Sequence, residues 1–404
     1  MKKIHRSRKL ENVKYAIRGR TMEEACKLES KGINILKLNI GNPAEFGLKV
    51  PKKIRKSMKK NIKKAGGYSS SKGIENARIE IKKYYEEKNV IGLDIDDIYL
   101  GNGVSELILV SMQALLNEGD EILIPMPDYP LWTAAVNLAG GKAVHYICDE
   151  KNEWYPNIED MENKITNRSK AIVIINPNNP TGSLYPKEIL EQIIDLAKRY
   201  NLLIFSDEIY DRLIYDNLEH ISIASLSEDI PIITFSGLSK SHMAAGFRIG
   251  WMLISGNKEH IKDYIQGLNL LSSMRLCSNV PAQHIVEKAL KDTKSTKKLF
   301  RKGGRLYKQR EYIYNELNNI PGITSIKPKA AFYIFPKIDT KKYNITDDEK
   351  FILDFLKEKH ILFTHGSGFN YNNVDHFRIT YLANKKQLKH TIKQLKDFLK
   401  TYKQ

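Results

Sequence analysis

The sequence predicts an α/β fold, a mostly parallel sheet sandwiched by helices and joined to a smaller α+β domain. Three observations carry this expectation. Short apolar runs alternate with amphipathic segments through the middle of the chain, as strand–helix–strand units do. From about residue 290 the pattern changes to helical segments around one strand pair. At 404 residues, the chain is also too long for one small core and suits two lobes.

Residues 1–49 read as an arm and part of the smaller domain. An extended stretch at 35–40 stops at the turn signal Gly41-Asn42-Pro43. Residues 50–290 read as the large domain. There, Ile98-Tyr99-Leu100 leads into Gly101-Asn102-Gly103-Val104-Ser105-Glu106, which opens an apolar helix. Residues 121–125 form a short strand, and Ala171-Ile172-Val173-Ile174-Ile175-Asn176 is a continuous apolar run, as in a strand buried on both faces. A helix over 188–200 places Ile189, Leu190, Ile193, Ile194 and Ala197 on one side. Strands at 202–205, 232–235 and 249–254 follow. Residues 291–404 read as the smaller domain, with strands at 331–335 and 376–381 and a last helix striped by Leu388, Ile392, Leu395, Leu399 and Tyr402.

Bulk composition narrows the function. Hydrophobic residues are 42% and charged residues 28%, the balance of an ordinary globular protein. No apolar run is long enough to span a membrane, and the basic start has no apolar signal core behind it, so a cytoplasmic protein is expected. Cys26, Cys148 and Cys277 lie far apart with no Cys-x-x-Cys, which supports neither a disulfide framework nor a zinc site. The formal charge of +18 raises nucleic-acid binding. The basic residues are spread through helices, however, and lack the interleaved aromatics that stack bases, so a solvated lysine-rich surface is expected.

Four clusters carry the chemistry. In order they are Asn179-Pro180-Thr181-Gly182, Asp207-Glu208-Ile209-Tyr210, Ser239-Lys240 and Gly246-Phe247-Arg248-Ile249-Gly250. Ligands of such sheets bind beyond the strand ends, and Asn179, Asp207 and Lys240 each sit just past one. Taken singly, each has a plainer role: Asn-Pro a turn, Asp207 a helix cap, Arg248 a surface ion pair, Lys240 one more surface lysine. Together they deliver an amide, a carboxylate, a phenol, an amine and a guanidinium to one edge, the groups needed to hold and tune pyridoxal 5'-phosphate. A neutral lysine amine can condense with the cofactor aldehyde and later shuttle a proton. A carboxylate can keep the pyridine nitrogen protonated, so that the ring draws electrons. Main-chain amides at the helix start near Val104, with the Ser105 hydroxyl, can seat a phosphate.

Competing motifs fail on single residues. A dinucleotide fingerprint needs a third glycine where Glu106 stands. A nucleotide phosphate loop needs Gly-Lys-Ser/Thr, and Gly237-Leu238-Ser239-Lys240-Ser241 has another order. A Ser-x-x-Lys acyl enzyme would need serine at Gly237. A cofactor-sensing transcription regulator would need a DNA-binding domain ahead of the fold, and the stretch before Gly41 lacks the length and texture.

These strings resemble the class I aminotransferases of the pyridoxal-phosphate-dependent fold-type-I superfamily over nearly the whole chain. Lys37-Leu38-Asn39-Ile40-Gly41-Asn42-Pro43, Pro127-Asp128-Tyr129-Pro130-Leu131-Trp132-Thr133 and Ser273-Met274-Arg275-Leu276-Cys277 resemble its bacterial glutamate–pyruvate (alanine) branch. The resemblance implies a ping-pong transaminase acting on amino acids and 2-oxo acids, with alanine and 2-oxoglutarate as the expected pair. Other amino-acid specificities and a Cβ-lyase on the same fold stay open. By resemblance, Lys240 tethers the cofactor, Asp207 meets the pyridine nitrogen, and Asn179 and Tyr210 meet the phenolate oxygen. Val104, Ser105 and Arg248 match the phosphate cup, Ser239 is a further cofactor contact, and Tyr129 matches the aromatic stacked on the ring. Arg378 matches the arginine that grips the α-carboxylate, with the Gly41 backbone and Asn179 beside it. Tyr15 and Arg18 match arm residues over the substrate. Tyr68 matches a tyrosine that reaches the phosphate of a neighbouring subunit, which implies a homodimer. Ser241-His242-Met243-Ala244-Ala245 departs from the usual polar and basic run after the lysine, and the segments at 364–368 and 380–382 also differ from the family near the substrate.

Overall fold

A computed structural model describes residues 3–13, 15 and 19–404. The helix Arg20–Ser30 precedes a two-residue strand, β1 (Leu36–Lys37). Eight further strands build one sheet: β2 (Ile98–Gly101), β3 (Glu121–Met126), β4 (Lys142–Asp149), β5 (Tyr155–Pro156), β6 (Ser169–Ile175), β7 (Leu203–Asp207), β8 (Ile232–Gly237) and β9 (Gly250–Ser255). Their order is β2-β9-β8-β7-β6-β3-β4-β5. The neighbours from β8 through β4 pair parallel. β9 runs antiparallel to both β8 and β2, and β5 antiparallel to β4.

Period-two alternation sorts the sheet's side chains into two cores. Ile172 and Ile174 join Leu123, Ile204 and Ile232 on one face, where the helix Lys187–Arg199 supplies Leu190, Ile193 and Ala197. Ala171, Val173 and Ile175 join Ile122, Phe205 and Phe235 on the other, under the helices Val104–Leu115 and Leu131–Leu138. Helix cover on both faces explains the unbroken apolar run in β6.

A third core joins the two ends of the chain. Ala25, Leu38 and Leu48 pack with Leu306, Ile313, Phe355, Phe377 and Leu395. Short strands serve this core: β10 (Ile323–Thr324), β11 (Tyr333–Ile334), β12 (Lys337–Ile338), β13 (Ile361–Leu362), β14 (Thr364–His365) and β15 (Phe377–Thr380). β1 pairs parallel with β13, and β15 lies between β11 and β14.

The structure departs from the sequence expectations at four places. The extended stretch at 331–335 shrinks to two paired residues, because Ala331 takes a left-handed φ of 59° that interrupts extended backbone. Only Leu36 and Lys37 of the stretch 35–40 find a partner strand. β4 was not legible as a strand, since its lysine, histidine and tyrosine mask the apolar pattern. Tyr402 lies past the last helix, Lys385–Leu399, yet keeps its place in the stripe by stacking on Phe398 at 4.5 Å between ring centroids.

Candidate active site

Because β2, β3, β6, β7 and β8 point the same way, their carboxyl ends share one edge of the sheet. β2 leads through Gly103 into the helix Val104–Leu115, so Val104 and Ser105 start that helix at the edge. β3 leads to Tyr129, β6 to Asn179, β7 ends on Asp207, and β8 leads into the short helix Leu238–Ser241 that carries Ser239 and Lys240. β9 runs the opposite way, so its start rather than its end lies here. That reversal brings Arg248, two residues before β9, to the same edge. From the other side come Asn39, Gly41 and Asn42 after β1, Tyr333 in β11 and Arg378 in β15.

These residues wall a cavity of about 680 Å³. Of the residues expected from the sequence, it brings together Tyr15, Gly41, Val104, Ser105, Tyr129, Asn179, Asp207, Tyr210, Ser239, Lys240, Arg248 and Arg378. Tyr68 stands elsewhere: it is 83% exposed and borders a separate hollow with Lys64 and His284. Arg18 lies outside the described residues.

Lys240 Nζ donates to the Gly41 carbonyl at 2.8 Å. Burial, with Arg378 and Arg248 adding positive charge, lowers its pKa to about 8 against a weaker pull from Asp207. The Asp207 carboxylate accepts from Trp132 Nε1 and from the Ile209 amide, each at 3.3 Å. Burial nevertheless pushes it up to about 6. A buried acid so placed gains from a cationic partner. Tyr210 and Tyr333 share a hydroxyl–hydroxyl bond of 2.9 Å, and Tyr15 and Tyr129 one of 3.1 Å. Burial raises the pKa values of Tyr210, Tyr333 and Tyr129. They therefore stand ready as neutral donors.

Arg378 is 3% exposed. Its Nη1 donates to Asn179 Oδ1 at 2.8 Å, its Nη2 donates to the Asn39 carbonyl, and its guanidinium centre lies 4.6 Å from the ring centroids of Tyr333 and Phe369. Its Nε is buried with no partner among the described residues. Arg248 donates to the carbonyls of Ala245 at 2.8 Å and Asn102 at 3.0 Å. Gly103 has a φ of +84°, and a Cβ there would fall 2.4 Å from Arg248 Nη2, so the glycine keeps the space in which arginine and helix start meet.

The donor set fits pyridoxal phosphate. A poised amine and a buried acid would serve its aldehyde and ring nitrogen, and the hydroxyls of Ser105 and Ser239 make no hydrogen bond among the described residues, leaving them open to a phosphate beside Arg248. Among the described residues, no group of three acidic, histidine or cysteine side chains could hold a metal, and no helix is long and apolar enough to cross a membrane.

The wall residues Asn39, Ile209 and Tyr333 had no role assigned from sequence, and neither had Trp132, which donates to Asp207. Trp132 and Tyr333 lay within strings already singled out, but their partners Asp207 and Tyr210 are 75 and 123 positions distant.

The model of the family described as aminotransferase class I and II matches residues 33–395. The chain is 52% identical to the glutamate-pyruvate aminotransferase of Haemophilus influenzae over 404 residues, all of both chains. It is 50% identical to an alanine aminotransferase of Mycobacterium tuberculosis over 98% of this chain and 93% of that one. Among solved structures, an Escherichia coli aminotransferase superposes with a TM-score of 0.99 at 51% identity, covering both chains fully. An alanine aminotransferase of Pyrococcus furiosus gives 0.92 at 39% identity, covering 98% of this chain and all of the other. With the family matched across most of its length and half its residues shared with full-length relatives, the chain belongs to the class I and II aminotransferases.

Proposed function

We propose that this aminotransferase moves the amino group of L-alanine to 2-oxoglutarate, giving pyruvate and L-glutamate in a two-stage ping-pong cycle. The observation that carries the reading is Lys240, an amine lowered to about 8 in a cavity that also presents Asp207 and Arg378. The names of the half-identical relatives support the substrate pair.

Pyridoxal 5'-phosphate, when bound, supplies an aldehyde that takes up the amino group and a cationic ring that draws electrons from the substrate Cα. The protein's groups do the rest. Val104, Ser105, Ser239 and Arg248 would hold its phosphate, Asp207 would keep its ring nitrogen protonated, Tyr210 and Asn179 would donate to its ring oxygen, and Tyr129 would pack on its ring. Arg378 takes the substrate α-carboxylate as a fork, beside Asn179 and the Gly41 backbone. That placement would turn the Cα–H toward Lys240, whose Nζ can take up the Cα proton and hold it for return. Tyr15 and Arg18 are the arm residues assigned to the substrate side of the cavity.

Residues 1–49 and 291–404 act as one lobe against 50–290, a division supported by the core shared between Leu38 and Leu395. The active form is a homodimer in which the exposed Tyr68 reaches the partner's phosphate site. A cytoplasmic setting suits three cysteines that are all free thiols.

A half-reaction panel tests the reading. The yellow protein is mixed with single amino acids and loss of the cofactor's absorbance is followed. Alanine and glutamate are expected to bleach it fastest. Fast bleaching by aspartate or aromatic amino acids alone overturns the substrate pair, and steady release of ammonia with pyruvate points to the Cβ-lyase instead.

A further inference from the structure

We propose that His242 is a positioning residue for Lys240, holding the short helix that carries the amine in register with the segment from Asp207 to Tyr210. The inference rests on the role of Lys240 proposed above. It starts from the departure in sequence after that lysine, Ser241-His242-Met243.

The helix Leu238–Ser241 has four residues, too few to fix its own direction. His242 follows it and is fully buried. Arg212 Nη1 lies 3.4 Å from His242 Nε2, and a guanidinium can only donate, so Nε2 accepts and the ring proton sits on Nδ1. Nδ1 then donates to Ser241 Oγ at 2.9 Å, and the Ser241 hydroxyl donates to the Gly237 carbonyl at 2.9 Å. The donations run one way, from Arg212 through the imidazole and hydroxyl to the last residue of β8. Each member fixes the orientation of the next.

Arg212 is itself anchored. Its Nε donates to Tyr84 Oη at 3.1 Å and its Nη2 to the Leu290 carbonyl at 3.1 Å. Tyr84 donates to Asp211, which also accepts from Lys88 Nζ at 2.5 Å. Arg212 lies five residues beyond Asp207 on the same segment. The chain of bonds thus ties the strand-end loop of the ring-nitrogen acid to the helix of the amine. His242 stays neutral: burial and Arg212 lower its pKa to about 4, against weaker pulls from the Ala289 backbone, Asp211 and Asp292. A neutral ring is what the one-way pattern requires, since a second ring proton would face the guanidinium.

The test compares His242→Asn, His242→Gln, His242→Ala and Ser241→Ala as holoenzymes. Two readings are taken: the pH midpoint of the Lys240-dependent absorbance change, and the first half-reaction with alanine. Asn keeps a donor near the Nδ1 position, whereas Gln keeps only the acceptor for Arg212. We expect Gln, Ala and Ser241→Ala to raise the midpoint by about half a unit or more, as the Lys240 nitrogen relaxes from its enclosed position. The same three should slow the half-reaction about 10-fold or more, with alanine affinity held by Arg378 and changed less than about 3-fold. His242→Asn should restore most of both. Wild-type midpoint and rate in Ser241→Ala, or equal losses in Asn and Gln that track melting temperature, overturn the proposal. If Lys240→Ala leaves the absorbance of the unmodified protein unchanged, the reading of Lys240 falls instead.

Discussion

Lys240 Nζ is bonded to the carbonyl oxygen of Gly41, a residue 199 positions earlier in the chain. The contact spans the two sides of the cavity: the amine comes from the strand edge of the large sheet, and the carbonyl from the segment after β1. It holds the amine inside the cavity. A Cβ on Gly41 would fall 2.2 Å from the Tyr333 hydroxyl, so the backbone can approach only because the residue is glycine.

Replacing Lys240 with Ala should remove both the nucleophile and the proton carrier. Single-turnover transamination of alanine should fall by about 10³-fold or more. In the cofactor-free wild type, capture of an aldehyde by this amine should rise through pH 8, because burial and the neighbouring arginines lower its pKa to about 8. Arg378→Met removes one of those charges and should move the midpoint upward. A midpoint that stays near the ordinary lysine value in the wild type rules out the poised amine.

Arg378→Lys keeps a charge but loses the fork and the planar contacts with Tyr333 and Phe369. Losing one charge-assisted bond of about 1.5–3 kcal/mol should raise the KM for alanine about 10- to 100-fold. Cofactor affinity should not change. Steady-state kinetics and equilibrium dialysis separate the two, and an unaltered KM would remove Arg378 from its assigned role.

Asp207→Asn should have opposite effects on stability and on turnover. Burial raises the folded-state pKa of Asp207 to about 6, above the unfolded carboxylate value. The folded cofactor-free protein then binds the extra proton, so its stability falls as pH rises from about 4 to about 6 and stays reduced above that. Asn removes the buried charge, and the cofactor-free variant should melt higher than wild type at about pH 7.5, with the gap closing near pH 4. Turnover should drop about 10²-fold or more, since nothing then holds the ring nitrogen protonated. Thermal melts at the two pH values decide the point: a lower melting temperature for the variant at the higher pH contradicts the buried-charge account.

Gly103→Ala should weaken the cofactor without unfolding the protein. The new Cβ would meet the far end of the Arg248 side chain, and a φ of +84° with a ψ of 164°, a region almost confined to glycine, adds about 1–3 kcal/mol of strain. Displacing the guanidinium from the helix start should reduce retention of pyridoxal phosphate about 10-fold, read by absorbance after gel filtration. Full retention would show that Arg248 has another route to the phosphate.

Much of the site could be read from local pattern. Asp207 ends β7, Asn179 and Lys240 come within four residues of the ends of β6 and β8, and an apolar run that stops at a polar residue marks a strand end without knowledge of the fold. Trp132 and Tyr333 were not legible as site residues, because an aromatic in an apolar string serves equally well in a core. Only packing brings Trp132 to Asp207 and Tyr333 to Tyr210. β9 likewise looked like one more strand; its reversed direction, which places Arg248 beside Val104 and Ser105, is a property of the connection rather than of the run itself.

By itself the sequence determined which chemical groups exist, and that Asn179, Asp207 and Lys240 would lie at strand ends along one edge, since side-chain alternation and strand ends are set by neighbours a few residues apart. The tertiary structure alone decided what those groups became. Desolvation and distant charge turned Lys240 into an amine near 8 and Asp207 into an acid near 6, and both depend on walls contributed from opposite ends of the chain. Long-range contacts of this kind have no signature in a local window, because they are fixed only when the separate cores close against one another.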